Sequence, residues 1–110
     1  MTNNEKPKLL VVVSSFPKLE DAQSMARKLI ESRLAACVQI QVGIQSIYRW
    51  EGKICEEGEV LLSAKTVADS WAEISSFIKS HHPYDLPEVL AFIPEKYEEQ
   101  FGKWIQAEVK

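Results

Sequence analysis

The sequence is poor in cysteine and glycine, has no run of Lys or Arg longer than two residues, and has no apolar stretch long enough to cross a membrane. Each scarcity removes a class of protein. Cys37 and Cys55 are too few and too far apart for a disulfide framework or a C-x-x-C redox or metal pair, so they read as reduced thiols packed as small hydrophobes. The four glycines are scattered, which leaves no phosphate-cradling loop, and neither G-x-S-x-G nor H-E-x-x-H occurs. A net charge of −3 and a pI near 5.4 argue against nucleic acid, whose binders carry a basic footprint for counterion release. The first apolar run, Leu9 to Val13, is too short for a signal-peptide core or a membrane span, so a protein that stays in the compartment of its synthesis is expected.

What is present is an ordinary globular composition, 45% hydrophobic and 26% charged, in a 110-residue chain that can bury one core without staples. A single domain over 1–110 is expected, with residues 1–7 as a flexible, polar N-terminal tail. Leu9–Val13 reads as a central strand buried on both faces. Leu19, Ala22, Met25, Ala26, Leu29, Ile30 and Leu34 recur at helical spacing and predict a helix of about four turns. Val38, Ile40, Val42 and Ile44 then alternate with polar residues as in a half-buried strand. The alternation slips at Ser46-Ile47, where a bulge is expected.

A turn at Glu51-Gly52 leads into a second strand over about Ile54–Lys65, completing a long hairpin. Thr66-Val67-Ala68-Asp69 fits a capping-box signature ahead of a helix with Trp71, Ile74, Phe77 and Ile78 on one face, which Pro83 stops. Val89–Ile93 predicts a second buried strand, and Pro94 the start of a last helix carrying Tyr97, Phe101, Trp104 and Ile105. The order β-α-β-β-α-β plus a helix predicts an α+β, ferredoxin-like sandwich.

The hairpin is too long for such a domain. From Ala35 to Trp50 a straight strand rises roughly 50 Å at about 3.3 Å per residue, whereas typical strands have about five or six residues. Its far end carries Ile47, Tyr48, Trp50 and Ile54, apolar groups that a lone subunit would leave uncovered. Self-association through these residues is expected, with cyclic symmetry letting each hairpin lean on a neighbour.

The sharpest polar constellation is His81-His82-Pro83-Tyr84-Asp85-Leu86-Pro87-Glu88, held stiff by its prolines. Imidazole suits copper and zinc, and Asp85 or Glu88 can add oxygen, which makes His81 and His82 candidate metal ligands. Histidines at a helix end also complement its dipole without any metal. No catalytic set emerges: a Cys–His pair from Cys37 or Cys55 with His82 is weakened by both thiols lying within strands. Three rivals sharing the element order fall away. Leu9–Val13 and Val60–Leu62 lack the aromatics of RNA-recognition domains, and Ser14-Ser15-Phe16-Pro17 lacks both the cysteines of soft-metal chaperones and the arginine of acylphosphatases.

Leu34-Ala35-Ala36-Cys37-Val38, Ser46–Ile54 with its Tyr48-Arg49-Trp50-Glu51-Gly52-Lys53 centre, Lys65-Thr66 and His82–Glu88 together resemble the CutA divalent-cation-tolerance family. The resemblance runs from about Leu9 to the last helix. It implies a cytoplasmic homotrimer similar in build to PII-type signalling proteins, with the hairpin making the subunit contacts. It also implies tolerance to copper(II) or another divalent cation, no organic cofactor and no enzymatic reaction. In some bacterial relatives a cysteine after the first strand joins the two histidines on copper; here the histidines match, but Ser15 stands in the cysteine's place. The alternative that the resemblance leaves open is a PII-like trimeric sensor or adaptor, binding a small anion near Lys65, Tyr84 and Glu88, in which metal is incidental.

Overall fold

In the computed structural model, which describes residues 8–110, the elements are β1 (Leu9–Phe16), α1 (Leu19–Glu31), β2 (Cys37–Trp50), β3 (Lys53–Val67), α2 (Trp71–His81), β4 (Leu90–Phe92) and α3 (Glu99–Glu108). The tail expected over residues 1–7 lies outside the described residues. The strands form one sheet in the order β2-β3-β1-β4, every pairing antiparallel, as the ferredoxin-like reading requires.

Alternation along β1 divides its side chains between the two faces. Leu10, Val12 and Phe16 point into the main core with Val60, Leu62 and Ala64 of β3, beneath Ala22, Met25 and Leu29 of α1 and Ile74 and Ile78 of α2. Leu9, of opposite parity, joins Val67 in a smaller cluster under Ile105 and Val109 at the C-terminal helix. That end is latched by Arg33, whose φ of 59° ends the turn after α1. Its guanidinium donates to the Ala107 and Glu108 carbonyls at 3.0 and 2.9 Å, and its own carbonyl accepts from the Lys110 amide at 3.0 Å. Helix α1 is therefore shorter than its apolar spacing suggests, and Leu34 reaches the core from beyond its end.

The Glu51-Gly52 turn is where the sequence places it, with both residues at positive φ (49° and 78°), as the tightest hairpin turns demand. The bulge is not at Ser46-Ile47. Gln41 pairs with Leu61 and Ile44 with Glu59, so Val42 and Gly43 together oppose Val60, with Gly43 at φ 81°. This extra residue changes which side chains share a face. Val38 and Ile40 lie opposite Ala64 and Leu62 of the core, whereas Tyr48 and Trp50 lie opposite Cys55 and Lys53. The unbroken run Val38–Ile44 of alternating apolar residues conceals the insertion.

Three further expectations change. Thr66 caps no helix: it is still in β3, fully buried, and its hydroxyl donates to the Leu34 carbonyl at 2.7 Å, while a 3-10 turn at Ala68–Ser70 leads into α2. Helix α3 starts at Glu99 rather than at Pro94, because the Glu98 carboxylate accepts from the Gln100 and Phe101 amides. That leaves Tyr97 ahead of the helix, against Gly102. The last strand is only Leu90–Phe92 at the sheet's edge, and Leu90, Phe92 and Ile93 are at least half exposed instead of buried.

The Thr66 bond joins β3 to the segment between α1 and β2, deep in the fold. Replacing its hydroxyl by a methyl in Thr66→Val keeps the shape and removes the donor, so the loss expected is about 1–2 kcal/mol. Urea unfolding reads this as a lower midpoint at unchanged slope.

Candidate functional site

Where β1 ends, Ser14 and Ser15 put buried polar side chains into an otherwise apolar strand, just before the fully buried Phe16. The end of α2 comes to the same place. Pro83 disfavours a helical conformation at the residue before it, and His82 is extended as the C-cap. Its ring stacks on Phe16 at 4.3 Å between centroids and stands 5.2 Å from the ring of Tyr84.

The hydrogen bonds of His82 settle its tautomer. The Tyr84 amide donates to Nδ1 at 3.0 Å, so Nδ1 carries a lone pair. Nε2 therefore carries the proton and donates to the Ser15 carbonyl at 2.8 Å. His81 is arranged the opposite way. Its ring stacks on Phe77 at 4.1 Å, and Nδ1 donates to the Phe77 carbonyl at 2.9 Å with the Ser80 hydroxyl 3.0 Å away. Its Nε2 is left with a lone pair on an exposed side chain.

From His82 the contacts run on into the hairpin. The Tyr84 hydroxyl donates to Glu59 of β3 at 2.8 Å, and the Ser15 hydroxyl donates to Glu88 at 3.2 Å. Between the proline loop and the hairpin lies an open cleft of about 690 Å³, with Tyr48, Trp50, Tyr84 and Leu86 among its apolar walls and Glu59, Asp85 and Glu88 as its charged groups. Its size suits a small ligand. Burial first and the Glu59 bond second push the Tyr84 hydroxyl pKa up. The Tyr48 hydroxyl is pushed up to about 12, chiefly by donating to Glu57. Lys65, expected near an anion, is not on this cleft; its ammonium donates to Gln39.

The sequence-derived residues thus fall into two groups. Ile47, Tyr48, Trp50 and Ile54 sit on the projecting hairpin at 64%, 39%, 50% and 70% exposure. His81 and His82 are neighbours in sequence, but their rings turn to different partners. The described residues do not fit a closed metal centre in one subunit. Both nitrogens of His82 are committed to the protein, Ser15 supplies a hydroxyl engaged with Glu88, and no group of three His, Cys, Asp or Glu side chains converges among the described residues. No spacing in the sequence points to the circuit from Ser15 through His82 and Tyr84 to Glu59. Its only signal is the pair of serines ending an apolar strand.

Burial holds the His82 pKa below the ordinary value of 6.5, against opposing contributions from the Ser15 carbonyl, Asp21 and Glu59. The unfolded chain then takes up this proton at higher pH than the folded one. The contribution of His82 is constant above about pH 6.5 and is lost as pH falls from there toward the lower folded value. Thermal melts across that interval should show a steeper loss for the natural chain than for His82→Gln; parallel curves would contradict the assignment.

A sequence profile of the CutA1 divalent ion tolerance protein family matches residues 10–108. The divalent-cation tolerance protein CutA of Thermus thermophilus is 38% identical over 96 residues, spanning 87% of this chain and 93% of that protein. Among solved structures, CutA1 from Oryza sativa superposes with a TM-score of 0.92 at 32% identity, covering 96% of each chain. CutA from Archaeoglobus fulgidus, described as a periplasmic divalent cation tolerance protein, gives 0.90 at 34% identity over 93% of this chain and 99% of its own. In sequence and in fold, over nearly its whole length, the chain belongs to the CutA1 divalent ion tolerance family.

Proposed function

We propose that the chain serves divalent-cation tolerance as a cytoplasmic homotrimer with no catalytic reaction of its own. The observation that carries the cation reading is the family match over residues 10–108. The trimer is supported by the hairpin, whose apolar end leaves Ile47, Trp50 and Ile54 at least half exposed. Copper(II) is the first candidate cation, since imidazole nitrogen suits it. His81 offers Nε2 as folded; His82 joins it only by giving up the Ser15 carbonyl or the Tyr84 amide.

A PII-like sensor or adaptor is the second reading, and the cleft of about 690 Å³ favours it. Its carboxylates, Glu59, Asp85 and Glu88, suit a neutral or cationic ligand better than the small anion expected from sequence.

Calorimetric titration of copper(II) into the tag-free protein, with His81→Ala alongside, separates the two. Saturable binding that disappears in the variant supports cation handling through His81. Absent binding, or binding equal in both proteins, turns the function toward the cleft.

A further inference from the structure

The resemblance to copper-binding relatives implies that His81 and His82 act as a pair on one ion, and the folded chain disagrees. His82 is the better buried of the two, and each of its ring nitrogens already has a backbone partner, the Ser15 carbonyl on one side and the Tyr84 amide on the other. Phe16 covers one face of the ring. A ligand bond needs an outward lone pair, and the only one His82 possesses is spent on Tyr84.

We propose that His82 is a positioning residue of the cleft and not a metal ligand. Its Nε2–H ties the segment after α2 to the end of β1. Its Nδ1 fixes the backbone at Tyr84, and so aims the Tyr84 hydroxyl across to Glu59 at the root of the hairpin. Three elements distant in sequence, β1, the proline loop and β3, are thereby held at one spacing. The ring is also the wedge between Phe16 and Tyr84. Cutting either of its hydrogen bonds frees the cleft wall that Tyr84 forms. His81, one residue earlier, lies outside this arrangement and keeps Nε2 outward.

The assignment of His82 does not rest on the cation reading, and one experiment keeps the two apart. Long-range ¹H–¹⁵N spectra of the full natural chain are recorded with and without zinc(II), a diamagnetic probe. The expected His82 signature is a protonated Nε2 with an unprotonated Nδ1, unmoved by zinc, while His81 shows the reverse tautomer. A His82 ring protonated at Nδ1, or a His82 nitrogen that shifts on saturation with zinc, overturns the proposal. A spectrum in which zinc moves neither ring sinks the cation reading at His81 and leaves the His82 assignment standing. His82→Gln, which retains a side-chain N–H for the Ser15 carbonyl, should keep zinc affinity within about twofold of the natural chain, whereas His81→Gln should lower it by about tenfold or more. Equal losses in the two variants also overturn the proposal.

Discussion

Strand β1 runs out at Phe16, opposite Val60, while β3 continues past that pairing back to Lys53 with, among the described residues, only β2 beside it. This mismatch of strand lengths governs the rest of the molecule. The paired part of the sheet has α1 and α2 packed over it and forms the main core. The unpaired part has β-ladder hydrogen bonds along one edge only and leaves Ile47, Trp50 and Ile54 in solvent. A two-stranded ribbon with large apolar groups on it is marginal in isolation. In the proposed trimer, neighbouring subunits cover it.

The transition between the two regimes is where the polar chemistry collects. The bulge at Val42-Gly43 sits opposite Val60, the very residue at which β1 ends, and it reorients the ribbon. Glu59 is the next residue of β3, and Tyr84 reaches it from the proline loop. Ser15 and Phe16 hold His82 on the other side. The cleft is thus a consequence of a sheet that changes width. Its walls come from the ribbon and from the proline loop, and Ser15 lines it near the point where β1 stops.

Much of this was legible in the sequence because it depends on periodicity and turn chemistry. The β-branched run of β1, the spacing of Ala22, Met25 and Leu29, and the Glu51-Gly52 turn each announce a local conformation. The errors arose where a tertiary partner outweighed a local signal. Thr66 and Asp69 look like a helix cap, but the Thr66 hydroxyl belongs to Leu34, far along the chain. Pro94 is a fair helix start, yet Glu98 does the capping. The two histidines look equivalent as letters. Their tautomers are set by Phe77 for one and by Ser15 and Tyr84 for the other, which no spacing rule can give.

Coverage of the hairpin by sister subunits is what the mismatch of strand lengths requires. Sedimentation equilibrium of the unmodified chain, followed to low concentration, measures this directly. One species of about 37.5 kDa is expected, three times the 12.5 kDa chain. A stable 12.5 kDa monomer that keeps its fold would contradict it, since the apolar end of the hairpin would then have no need of a partner.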